Sequence, residues 1–175
     1  MPSPPTAFRH LGVRDGFEVA WFAPPTGLRG GSTFIEDGVG YHIAYDIKLA
    51  ADGSTSAAAV RSPDKTVTLT RAGAVWTVDD VERPDLADCP DIDLESSAVT
   101  NALPIARMRL AVGESGRALA AWVRADLTVE RLEQTYTRLD ERRYGYVSQY
   151  DGFSAVLEYG DDGLIVDYPG IANRA

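Results

Sequence analysis

Residues 89–109 hold the side chains whose types and spacing could do chemistry. The run Cys89-Pro-Asp-Ile-Asp-Leu places Asp91 and Asp93 two residues apart, and Ala106-Arg-Met-Arg-Leu places Arg107 and Arg109 likewise. Read as extended chain, each pair shares one face, opposite Ile92 and Leu94 in the first case and Met108 and Leu110 in the second. Two carboxylates about 7 Å apart are compatible with a general acid and base, as in a glycosidase. They can also accept hydrogen bonds from a polar ligand, or pair with the two guanidiniums across neighbouring strands as a structural charge cluster. A divalent cation would need more oxygen ligands than this segment offers.

The rest of the composition narrows the field. The chain has 175 residues, a formal net charge of −9 and 45% hydrophobic residues. That suits one soluble globular domain, 1–175. The acidic balance argues against nucleic acid or an anionic membrane surface as partner. Cys89 is the single cysteine and His10 and His42 the two histidines, too few for a thiolate–imidazole metal site or a recognisable nucleophile–base motif. No phosphate-cradling or dinucleotide-binding glycine motif is present; Gly27-Leu-Arg-Gly-Gly31 reads as a hairpin loop. No cofactor and no metal are expected. No run approaches the length of a membrane span, and Met1-Pro-Ser-Pro-Pro-Thr has no basic region followed by an apolar core, so a cytoplasmic location is expected.

The elements that must position these residues are mostly strands. Short alternating or apolar runs recur at Phe17–Phe22, Gly40–Leu49, Ala57–Ser62, Thr66–Arg71, Ala74–Asp79, Ile105–Val112, Arg117–Val123, Arg143–Tyr150, Phe153–Tyr159 and Leu164–Tyr168. Between them stand turn formers such as Asp52-Gly53, Ala72-Gly73, Gly113, Asp151-Gly152 and Asp162-Gly163, which supply the positive φ that tight turns need. Residues 1–7 are proline-rich and read as loose. Residues 126–139 are ambiguous: Val129, Leu132, Tyr136 and Leu139 have helical spacing, whereas Leu132, Gln134 and Tyr136 share one strand face. Ser96–Leu103 reads as a short helix, capped by Ser96 and stopped by Pro104. Tyr144, Tyr146 and Tyr150 share a strand face. Trp21, Trp76 and Trp122 lie in strand-like or flanking runs that could converge on one interior. Buried tyrosines put polar points inside an apolar space, which suits an amphiphilic ligand.

Five segments in fixed order carry a resemblance: Cys89-Pro-Asp-Ile-Asp, Thr100-Asn-Ala-Leu-Pro-Ile105, Gln134-Thr-Tyr136, Tyr144-Gly-Tyr146 and Asp162-Gly-Leu-Ile-Val-Asp-Tyr-Pro169. Together they resemble the bacterial "putative glycolipid-binding" family with the spiral β-roll fold, densely over residues 74–174 and thinly before them. The resemblance implies a mainly β (α+β) fold in which a long curled antiparallel sheet wraps around a single short helix, and it implies a homodimer. It also tilts residues 126–139 towards strand. Where the family commonly carries Pro-Phe before its Thr-Asn pair, this chain has Ala98-Val99, which implies a roomier pocket if that aromatic meets a ligand. The function expected is non-enzymatic binding of an amphiphilic small molecule, a glycolipid in the first instance, by Asp91, Asp93, Asn101, Arg107 and Arg109 together with Tyr136, Tyr144 and Tyr146. The alternatives are an enzyme using Asp91 or Asp93 as general acid or base, and a structural or interaction domain in which the charge cluster only fixes the fold.

Overall fold

The computed structural model describes residues 4–175. The first half of the chain is a run of hairpins: β1 (Thr6–His10), β2 (Arg14–Ala23), β3 (Gly27–Glu36), β4 (Val39–Leu49), β5 (Thr55–Arg61), β6 (Thr66–Ala72), β7 (Val75–Val78) and β8 (Val81–Glu82). The second half holds β9 (Asp91–Leu94), α1 (Ala102–Met108), β10 (Ser115–Val123), β11 (Val129–Arg138), β12 (Arg143–Ser148), β13 (Ser154–Tyr159), β14 (Ile165–Tyr168) and β15 (Ala172–Arg174). Among the described residues all fifteen strands join one sheet, which runs from β8 back to β1, then from β15 back to β9. The two edges of the sheet, β8 and β9, are therefore neighbours in sequence.

That topology forces the curl. Laid flat, fifteen strands at a spacing of about 4.8 Å would be about 65 Å wide. The chain from Glu82 to Asp91 can span at most about 30 Å. The sheet must roll until its edges approach, and three bonds hold the seam. Thr55 donates its backbone N–H to the Pro90 carbonyl at 2.9 Å, and its hydroxyl accepts from Ile92 N at 3.0 Å. The buried Trp76 indole donates to the Cys89 carbonyl at 2.8 Å. The result is a mainly β protein with one short α-helix and a large curled sheet that does not close into a barrel. Inward-facing residues such as Phe8, Phe34, Ile43, Ile47, Leu69 and Leu157 form its core.

The β9–β10 pair is parallel, Asp91 opposite Ala120 and Asp93 opposite Trp122; the other paired strands are antiparallel. Parallel neighbours cannot be joined by a tight turn and need a crossover, and residues 95–114 supply it with α1 packed inside the roll.

Several expectations change here. The helix begins where the sequence reading ended it: a 3-10 turn at Val99–Asn101 runs into α1 at Ala102–Met108. Pro104 sits in the first turn, where its missing N–H would have had no partner anyway. Residues 105–112 are consequently not a strand. Arg107 is on α1, and Arg109 closes it with φ of 51°. The glycine run 27–31 is not a loop but the start of β3. Gly30 lies opposite Tyr45, and a Cβ there would come within 2.5 Å of the Tyr45 hydroxyl; the glycine makes room for that ring. Residues 129–138 are strand, with Leu132, Gln134 and Tyr136 buried on one face. Thr6 and Ala7, within the segment read as loose, pair with Ala20 and Val19; residues 1–3 of that segment lie outside the described residues. The expected turn glycines 53, 73, 113, 152 and 163 all have positive φ.

Candidate functional site

β9 lies inside the roll and is covered on both faces, which decides the fate of its two aspartates. Asp91 is buried, and α1 brings Arg107 onto it. Arg107 Nε lies 3.0 Å from Oδ1 and its NH2 nitrogen 2.7 Å from Oδ2. Both carboxylate oxygens are taken in a bidentate pair, the strongest arrangement this chemistry allows. Burial pushes the Asp91 carboxyl up, and the Arg107 guanidinium pulls it down.

Asp93, two residues on, has a different environment. It accepts from the Thr100 hydroxyl at 2.6 Å and from Gln134 Nε2 at 3.0 Å. Among the described residues no cationic side chain pairs with it; every ion pair of the fold lies elsewhere. Burial raises its pKa above the usual carboxylate range, opposed by those neutral donors. It also faces open space.

That space is a cleft of about 290 Å³ at one end of the roll. The β1–β2 turn, the end of β9, the end of β10, the β12–β13 turn and the β14–β15 turn all contribute to it. Its inner wall carries Tyr146, Phe153 and Tyr168, whose ring centroids lie 5.8–6.3 Å from one another. Asp93 and Asn101 sit beside them. At the lip, the Arg124 guanidinium lies 4.3 Å from the Trp122 ring centroid and 5.4 Å from that of Tyr150. Glu95 joins the two halves of the sheet there. It binds Arg14, from β2, at 3.2 Å and Arg124, beyond β10, at 3.0 Å, and also accepts from Ala125 N. Arg14 further pairs with Glu36. The other open hollows, near Trp21 and around Tyr41 and His42, present only exposed ionisable side chains.

A chain with this topology and this cleft can be placed. A family model described as "Putative glycolipid-binding" matches residues 9–174. The chain belongs to that family. The crystal structure of a DUF1089 family protein from Pseudomonas aeruginosa superposes with a TM-score of 0.74 at 27% identity, covering 100% of this chain and 95% of that one. No curated protein matches the sequence.

Within this family member, the structure separates the expected site residues into three groups. Asp93, Asn101 and Tyr146 line the cleft. Tyr136 lies directly behind it, its hydroxyl donating to Asn101 Oδ1 at 2.7 Å, and so fixes that side chain. Asp91 and Arg107 form the closed pair along β9, Tyr144 packs edge-on against Tyr159 away from the cleft, and Arg109 is exposed, its side chain without a hydrogen-bond partner among the described residues. The four ionised groups do not converge, because the arginines come from a helix and its cap rather than from a strand face. The three tryptophans do not converge either. Trp76 is core, Trp21 borders a separate groove under Arg29, and Trp122 reaches the cleft lip.

Sequence reading missed Arg14, Glu95 and Arg124 in the cleft, none of which stands in a motif, and saw Phe153 only as one of the aromatic residues of a strand face. Gln134 and Tyr168 were placed on strands and in the family segments, without a role in a site. It also missed Glu18, a completely buried carboxylate on β2. Glu18 accepts from the Tyr45 hydroxyl at 2.6 Å, from the Ser97 hydroxyl, and from Ala98 N at 2.8 Å. It ties the start of the crossover to the opposite half of the sheet, and an acidic side chain over the first N–H groups of a helical turn suits their polarity. Burial raises its pKa while these donors oppose the rise. Two other reactive groups are silenced by the fold: burial pushes the Cys89 thiol up to about 12, and burial with nearby Arg14 brings His10 down to about 4.

Proposed function

We propose that this protein binds the polar headgroup of an amphiphile, a glycolipid in the first instance, in the Asp93 cleft, with the apolar tail lying outside. The observation that carries this is the mixed lining of the cleft: the aromatic rings of Tyr146, Phe153 and Tyr168 stand together with the hydrogen-bonding residues Asp93, Asn101 and Ser148. Sugar rings present apolar faces and polar edges, which such a lining matches. A volume of about 290 Å³ equals that of roughly ten water molecules in the liquid, room for a sugar-sized group but not for one with acyl chains. Leu11, Val13 and Ile171 stand at the rim, with Val13 72% exposed, and offer apolar surface where a tail would emerge. The description of the family as "Putative glycolipid-binding" agrees with this reading.

The test is mass spectrometry of an organic extract of the purified protein, with Trp122→Ala prepared in parallel. A glycosylated amphiphile recovered from the native protein and depleted in the variant is the expected result. Extracts without lipid, combined with no binding of simple sugars, would sink the reading.

A second reading is favoured by one observation, a carboxyl on the wall of the cleft whose pKa is raised by burial. Such a group suits a general acid. Asp93 is the β9 candidate, since the Arg107 guanidinium holds both oxygens of Asp91 whereas only neutral donors meet those of Asp93. Turnover of nitrophenyl glycosides by the native protein and its loss in Asp93→Asn would support it; equal rates, or none, would dispose of it.

A further inference from the structure

The charge pattern of the cleft goes further than its shape and, resting on the headgroup reading above, narrows the class of ligand. Among the described residues each buried or half-buried carboxylate around it except one has an internal cation. Glu95 holds Arg14 and Arg124, Glu36 holds Arg14, and Asp91 behind the wall holds Arg107. Asp93 has only the neutral donors Thr100 and Gln134. The two guanidiniums at the lip are already engaged by Glu36, Glu95 and, for Arg124, Glu130 at 3.6 Å. An anionic headgroup would therefore find no free cation and would face Asp93, Glu95, Glu36 and Asp151. Beside the one uncompensated carboxylate stand three aromatic rings, Tyr146, Phe153 and Tyr168, whose faces attract cations, and the more strongly where water is excluded. The net charge of −9 adds a field of the same sign over the whole molecule.

We propose that the cleft selects headgroups bearing a protonated amine, with Asp93 accepting from the ammonium and the Tyr146–Phe153–Tyr168 wall completing its surroundings. The chemistry has two sources, an amino sugar and a simple amino alcohol, and the sugar-lining argument favours the first. Neutral sugars bind more weakly because they leave Asp93 without a counter-charge. Phosphorylated or uronic headgroups are rejected.

Isothermal titration and amide NMR shifts with D-glucosamine, D-glucose, N-acetyl-D-glucosamine and ethanolamine test this directly. D-glucosamine should bind at least about tenfold more tightly than D-glucose and N-acetyl-D-glucosamine, the scale of one charge-assisted hydrogen bond. Asp93→Asn should erase that preference. Should Asp93→Asn fail to fold, Phe153→Leu at a half-buried position provides the second variant, with an expected loss of about threefold for D-glucosamine. Equal binding of D-glucose and D-glucosamine overturns the amine proposal while the headgroup reading survives. Asp93-dependent binding of ethanolamine without binding of any sugar supports the amine proposal and removes the glycosyl part of the headgroup reading. Binding of none of the four overturns the amine proposal, and together with an organic extract that holds no lipid it overturns the headgroup reading as well.

Discussion

Asp91 and Asp93 stand on the same strand, two residues apart and on the same face, yet they live in different chemistry. Asp91 meets α1 at the level of Arg107 and is sealed in a bidentate pair. Asp93 meets the preceding 3-10 turn, whose nearest side chain is the neutral Thr100, and opens on the cleft. The difference teaches that a carboxylate's role here is set by which turn of the crossover packs over it. A closed pair holds the crossover in place, and an open carboxylate beside aromatic rings is available to a ligand.

Removing Arg107 attacks the closed pair and has the largest expected effect. Arg107→Ala strands a buried carboxylate and should cost about 3 kcal/mol or more in urea denaturation. The double variant Asp91→Leu with Arg107→Met should recover most of that loss, because replacing both partners removes the uncompensated charge. If Arg107→Ala is as stable as the native protein, the corner is not what holds the crossover.

A smaller effect is expected from Tyr45→Phe, which takes one donor from the buried Glu18 while leaving Ser97 and Ala98 in place. The expected loss is about 1–2 kcal/mol. Its size relative to Arg107→Ala compares the loss of one neutral donor to a buried carboxylate with the loss of a paired cation.

Proton linkage reads the buried carboxylates, because burial raises Asp91 as well as Asp93. The folded-state pKa of Asp93 is raised, so the folded protein holds its proton to higher pH than the unfolded chain. The resulting stabilisation is complete below the ordinary aspartate pKa and is lost as pH rises through the raised value. Glu18 acts in the same direction. Thermal melts from pH 4 upward should show a shallower decline for Asp93→Asn than for the native protein. An identical slope in both would mean that Asp93 titrates as an exposed carboxylate does.

Arg109 gives the smallest and sharpest contrast. It is exposed and sits at the end of α1 in the left-handed region that favours glycine. Arg109→Ala should leave ligand binding unchanged, and Arg109→Gly should stabilise the fold by about 0.5–1 kcal/mol. A loss of D-glucosamine binding in Arg109→Ala would return this residue to the site.

Much of the hairpin architecture was legible because it is written locally. Alternation along β4, β6 and β13, the apolar run of β10, and glycine at the positive-φ turn positions need no knowledge of distant residues. β3 was illegible for a physical reason: Gly30 looks like a loop residue until Tyr45 is seen to occupy the space above it. The crossover helix was misplaced by a few residues because proline is forbidden inside a helix but welcome in its first turn. That shift moved Arg107 and Arg109 off the strand face on which they had been expected.

The site was legible in part. Asp93 and Tyr146 could be named from type and spacing, and Asn101 from the family segment that holds it. Arg14, Glu95 and Arg124 could not, since they come from β2, the end of β9 and the end of β10, and meet only when the sheet has rolled. Glu18 was hidden in the same way, an ordinary acidic residue in an alternating strand until Ser97 and Ala98 arrive over it from the other half of the chain.

By itself the sequence determined the strand-rich character of the chain, its tight turns, its acidic balance and the presence of two aspartates side by side on β9. Those properties depend on residue types at short separations, where backbone geometry is the only partner required. Only the tertiary structure decided which aspartate would be neutralised and which left open. That choice depends on the curl that brings β9 under the crossover, and the curl follows from a short connection between the two edges of a wide sheet.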